Sequence, residues 1–152
     1  MKSFTLIEIL IVVGIMTILA AIGSVSFFSF RAQNNLNLTT KEILSLLRNA
    51  QNRSITQENG VNWGVRLGNP SNQDGFYALF QGAAYSSANT VLRANLPPAV
   101  QFNDPLSGAN KDIVFNSISG LPADSATVII SLKNNPSDTR TIIINANGQI
   151  QY

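Results

Sequence analysis

The sequence predicts an α+β fold: one long N-terminal helix, apolar in its first half and amphipathic in its second, packed on an antiparallel β-sheet head. Three observations carry that prediction. An uncharged apolar run opens the chain, a stretch with apolar residues at helical spacing follows, and the rest reads as short strands between turns rich in Gly, Pro and Asn. Strands that hairpin onto one another and share a single helix give an antiparallel sheet with the helix packed on it. At 152 residues the chain holds one ordinary domain's worth of material.

Composition narrows the chemistry. Charged residues make up 12% of the chain and the net charge is +2, against roughly 25% charged residues in an average soluble domain. There is no His and no Cys, which removes Ser-His-Asp and Cys-His catalysis, the usual transition-metal ligand sets and any disulfide framework. That rules out most enzyme chemistry, and the expectation is a non-enzymatic protein with no catalytic residue, no metal and no cofactor.

The first element is the apolar run. Ile9 to Phe30 carries no charge, and a helix of that length spans roughly 30 Å, the thickness of a bilayer's hydrocarbon core. Ser24, Ser26 and Ser29 soften its far end. A secretory signal peptide also pairs a basic start with an apolar run, but cleavage at Ala20-Ala21 would waste the helix that continues beyond. Glu8 is the informative residue. An unpaired carboxylate at the leading edge of a membrane segment is costly and marks a functional site by default, the plainer alternative being an acid at headgroup level.

Residues 3 to 14 read Ser-Phe-Thr-Leu-Ile-Glu-Ile-Leu-Ile-Val-Val-Gly and resemble the type IV prepilin (class III) signal. The resemblance implies a leader peptide of residues 1–3, cleavage between Ser3 and Phe4 by prepilin peptidase, N-methylation of the Phe4 amine, and an assembly role for Glu8 as fifth residue of the mature chain. Ser3 stands where the family usually has Gly, and the helix lacks the Pro that many such pilins carry. Methylation keeps the amine's charge, so Glu8 in a water-poor helix bundle can pair with a Phe4 amine of its own chain or a neighbour's. Leaving one partner unpaired there costs on the order of 3–5 kcal/mol, so the pair would fix register more than add stability. Residues 4–30 are then a transmembrane helix in the precursor and filament core after assembly, with residues 31–152 as the globular head. The implied partners are other pilin or pseudopilin subunits, the peptidase, an inner-membrane assembly platform and, before assembly, membrane lipid. The implied location is the inner membrane for the single-pass precursor, head outside, and a cell-surface or periplasmic filament once assembled.

The second half of the helix is amphipathic. Ile43, Leu44, Leu47, Ala50 and Ser54 recur at i, i+3, i+4 spacing on one face, with Arg48, Gln51, Asn52 and Gln57 mostly on the other. Glu58-Asn59-Gly60 supplies a stop with Gly available for a left-handed cap. The run is too short, and lacks the flanking charge pairs, for a heptad coiled coil. A helix from about residue 4 to 58 would be roughly 80 Å long.

Strands follow. Val61 to Leu67 alternates apolar and polar, Gly68 to Gly75 is a turn, and Phe76 to Phe80 is the expected hairpin partner. Gly82 to Asn95 carries no clear pattern. Val100-Gln101-Phe102 and Asp112 to Phe115 read as short strands, and Ser119 to Pro122 as a turn. Thr127 to Leu132 and Thr139 to Asn145 flank a turn at Asn134 to Ser137, and Asn147-Gly148 is a two-residue hairpin signal before Gln149 to Tyr152. The Val-Phe-Asn-Ser-Ile-Ser-Gly segment, the strand–turn–strand around Arg140, the terminal Asn-Gly hairpin and Arg53-Ser54 together resemble the GspH/FimT-type head of minor pilins and pseudopilins.

The function these features imply is that of a structural subunit, pilin or pseudopilin, of a type IV pilus-like or type II secretion-like filament. The alternatives are a competence minor pilin that binds DNA for uptake and a membrane-anchored protein that never polymerises. Asp104 to Asp112 places two acids in a loop; without EF-hand spacing an Asx-turn is the better reading than calcium. Arg48, Arg53, Arg66, Arg93, Lys111, Lys133 and Arg140 are dispersed, which argues for a solvated surface over a DNA-binding patch. Trp63 and Tyr77 suit hairpin packing better than base stacking.

Overall fold

The structure, a computed structural model, describes residues 5–152, the side chains of residues 21–26 excepted. One helix, α1 (Leu6–Ile55), opens the chain, and eight strands follow: β1 (Trp63–Asn69), β2 (Phe76–Gln81), β3 (Thr90–Asn95), β4 (Val100–Asp104), β5 (Ala109–Phe115), β6 (Ala126–Leu132), β7 (Thr139–Ile144) and β8 (Ile150–Gln151). By contacts the chain divides into two compact units, Met1–Asn34 and Asn35–Tyr152.

In the second unit, α1 buries one stripe: Leu36, Thr39, Thr40, Ile43, Leu47, Ala50 and Ser54 are all at most 1% exposed. These positions recur every three or four residues, so one face of the helix is apolar enough to join the core. Thr40 fits the stripe because its hydroxyl donates to Leu36 O at 2.7 Å. The stripe matches the expected face at Ile43, Leu47, Ala50 and Ser54, while Leu44 is only half-buried.

The strands divide between two antiparallel four-stranded sheets, ordered β3-β2-β1-β5 and β4-β6-β7-β8. The β1–β2 hairpin forms as expected, with Val65 opposite Leu79. The segment without a clear pattern contains β3, paired to β2. Its Val91, Leu92 and Arg93 are exposed, so no alternating burial pattern marks it in the sequence. Asp112 to Phe115 is the end of a longer strand that pairs with β1, its neighbour across the sheet rather than along the chain. Alternation is clean in β7, where Ile142 and Ile144 are buried and Ile143 faces out.

Two turn expectations change. α1 ends at Ile55, before Glu58-Asn59-Gly60, and the first left-handed residue is Gln57 (φ 54°), not Gly60. Tertiary bonds set that end: Ile118 N donates to Ser54 O at 3.0 Å and the Trp63 indole N–H to Glu58 O at 3.0 Å. The β7–β8 connection is longer than two residues. Gly148 N donates to Asn145 O and Asn145 N to Gln149 O, both at 2.9 Å, and Gly148 takes φ 81°. That is a four-residue turn, Asn145 to Gly148, whose last residue is left-handed, the three-residue hairpin loop that Gly favours.

Side chains tie the sheets to each other and to the helix. Lys111 of β5 bonds the Asp104 carboxylate of β4 and donates to Thr127 O of β6 at 2.7 Å. Asn69 Nδ2 donates to Phe102 O at 3.2 Å and Pro105 O at 2.8 Å. Gln51, expected on the solvent face, donates from Nε2 to Gly120 O at 3.1 Å and Gly148 O at 2.7 Å, holding two loops against α1.

Candidate assembly site

The expected assembly residues lie at the start of α1. Ser3 and Phe4, the expected cleavage and methylation positions, lie outside the described residues, so the Phe4–Glu8 pair has no described geometry. Glu8 is exposed in the first turn of the helix. Its N–H donates to Thr5 Oγ1 at 3.3 Å, making Thr5 the N-cap and Glu8 the third helical residue. Thr-Leu-Ile-Glu has the Thr-x-x-Glu spacing of a capping box, and an acid there also favours the positive end of the helix dipole. That local role for Glu8 was legible in the sequence beside the assembly role.

What surrounds Glu8 is apolar on every side. Each large apolar residue from Leu6 to Leu19 is at least half exposed, from Val12 at 50% to Leu6 at 83%. Glu8, Ile9, Val12 and Val13 line a shallow cleft of about 260 Å³. The Thr17 hydroxyl donates to Val13 O and Gly14 O, at 3.1 and 2.8 Å, so it adds no unsatisfied polar group to this surface. A Cβ on Gly14 would meet nothing within 4 Å, which leaves a notch where another helix can approach closely. A helix apolar all round needs a covering of lipid or protein. Among the described residues no helix is long and apolar enough to cross a membrane; the uncharged run from Ile9 to Phe30 passes through residues 21–26, whose side chains are not described.

The head's other candidates, Arg48 excepted, are absorbed by internal contacts. Asp104 pairs with Lys111 and Asp112 with Arg66, so both acids of the loop considered for calcium are engaged by cations. Arg66 grips Asp112 through Nε and Nη2, each at 2.6 Å, and this bond holds the guanidinium above its ordinary pKa. Arg53, Lys133 and Arg140 pair with Glu58, Asp74 and Asp138 at 2.7–2.8 Å, and Arg93 lies 3.9 Å over the Phe76 ring. Trp63 is 1% exposed and Tyr77 donates to Glu42 Oε2 at 2.6 Å; both are packed as expected. The sequence reading missed the Glu42–Tyr77 bond and the ties made by Gln51, which no local pattern announces.

The fold, a helix with one face buried against antiparallel sheets, is like that of type IV minor pilins. Two solved structures of the type IV minor pilin FimU from Pseudomonas aeruginosa (strain PAO1) are similar to the chain. The crystal form in space group P21 superposes with a TM-score of 0.56 at 16% identity, over 80% of this chain and 90% of that one. The form in P65 gives 0.54 at 15% identity, over 76% and 90%. No protein-family model and no curated protein matches the sequence.

Proposed function

We propose that this chain is a structural subunit of a type IV pilus-like or type II secretion-like filament. It is held in the inner membrane as a precursor with its head outside, cleaved between Ser3 and Phe4, methylated at Phe4, and assembled through the first half of α1. The observation that carries the reading is a helix apolar on every side, with Glu8 in its first turn, joined to a head with the minor pilin fold. Burying such a surface among like helices removes it from water or lipid, and the lone acid sets the height at which each subunit seats. The FimU likeness supports a pilin-type subunit over an enzyme.

Intact mass spectrometry of filaments sheared from cells tests this. The expected mass lacks Met1 to Ser3 and carries one added methyl. A full-length chain that stays in the membrane fraction would leave the N-terminal segment as an anchor and sink the reading.

A further inference from the structure

Charge pairing in the head leaves a remainder with a definite layout. Among the described residues of 35–152, the acids Glu58, Asp74, Asp104, Asp112 and Asp138 each have a cation partner, and Glu42 accepts from Tyr77. Asp124 has none. Of the cations, Lys41 and Arg48 have neither an acid nor a ring partner. They are two turns apart on the exposed face of α1, and with Leu44, Ser45, Asn49 and Asn52 they line an open groove of about 410 Å³ that contains no acid. Asp124, in the β5–β6 connection, lines a cleft of about 390 Å³ with Asp104, Asp112 and Lys111. The groove is positive and the cleft carries a net negative charge.

We propose that the Lys41–Arg48 groove of one subunit docks on the Asp124 cleft of a second copy of this chain. The inference rests on the filament reading above and names its head-to-head contact. Groove and cleft are different surfaces of the chain, so one copy can engage two neighbours at once. A two-fold pair in which each groove met the other copy's cleft would use both surfaces and close at a dimer. Joined to separate neighbours, as the filament reading requires, the two surfaces generate an open, growing assembly.

The absence of cysteine gives a clean background for the test. Ser45 and Ser125 are exposed beside the two charged patches, so Ser45→Cys and Ser125→Cys are placed together in the full-length chain. Sheared filaments are then treated with a short bismaleimide. The expected result is a ladder of dimers, trimers and larger species that neither single variant gives. Adding Arg48→Glu should cut the ladder about tenfold, and Asp124→Arg added to that should restore most of it. Products that stop at dimers, or a ladder indifferent to Arg48→Glu, would overturn the proposal. So would loss of duplex-DNA binding on Arg48→Glu with no ladder in the parent, which would make the groove a nucleic-acid contact. A chain found in filaments without cross-links overturns this contact alone; a chain absent from filaments overturns the filament reading with it.

Discussion

The Ser54 hydroxyl accepts the Trp63 backbone N–H at 3.0 Å and donates its own O–H to Phe115 O, also at 3.0 Å. Trp63 and Phe115 face each other at the end of the β1–β5 ladder, so a helix side chain bridges the two strands there. Ser54 is fully buried. Ser54→Ala strands one amide and relieves one carbonyl of its donor, each worth about 1–3 kcal/mol when buried. The expected loss is about 3 kcal/mol, read from urea unfolding of the detergent-solubilised full-length chain. A loss below about 1 kcal/mol would mean that water replaces the hydroxyl.

Tyr77 and Glu42 make a second link between helix and sheet. Burial, then the hydrogen bond to the Glu42 carboxylate, raises the Tyr77 pKa above its usual 10.0. A raised folded-state value means the native chain holds the phenolic proton more tightly than the unfolded one. The stabilisation is therefore complete below pH 10 and is lost as pH climbs beyond it. Thermal melts of the wild type should fall more steeply above pH 10 than those of Tyr77→Phe. At pH 7 that variant should cost about 1.5 kcal/mol, the value of a hydrogen bond to a charged group. Parallel melting curves above pH 10 would refute the linkage.

Ile118 is a β-branched residue held at φ 73°, a conformation that costs an L side chain roughly 1–2 kcal/mol. Its N–H caps the Ser54 carbonyl, while its side chain is 69% exposed and contributes little to the core. Ile118→Asn keeps the cap and suits the left-handed backbone, so it should stabilise the head by about 1 kcal/mol, raising Tm by about 3 °C. A lower Tm would show that the Ile side chain is worth more to the head than the strain it carries.

The elements most legible in the sequence are those whose partners lie close by or whose pattern is strong. The buried stripe from Ile43 to Ser54 follows from helical spacing alone, and the β1–β2 hairpin from two apolar runs around a polar turn. β3 was hidden because an exposed edge strand carries no alternation. The pairing of β5 with β1 was hidden because some fifty residues of chain separate Trp63 from its partner Phe115, a relation local periodicity does not encode. The helix end moved from about residue 58 to Ile55, and the first left-handed residue from Gly60 to Gln57, for the same reason: bonds from Trp63 and Ile118 decide it. At the candidate site, Glu8 and the apolar surface were plain from sequence, whereas the charges left over on Lys41, Arg48 and Asp124 emerge only after every other pair is placed.

Glu8 has two physical roles that substitution can separate. As the third residue of α1 it takes part in the cap with Thr5, and in the proposed filament its carboxylate pairs with a Phe4 amine. Thr5→Val removes the hydroxyl cap and keeps the acid; Glu8→Gln keeps the backbone N–H bonded to Thr5 and removes the charge. A lost N-cap costs about 1 kcal/mol, which a helix this long can absorb. An amine left unpaired in a water-poor bundle costs on the order of 3–5 kcal/mol. Glu8→Gln should therefore be cleaved normally yet lower incorporation into sheared filaments by at least tenfold, a factor that requires about 1.4 kcal/mol. Thr5→Val should incorporate within a few-fold of wild type. Equal defects in both variants, measured as subunit per filament mass, would assign Glu8 to the cap and remove the pairing from the assembly mechanism.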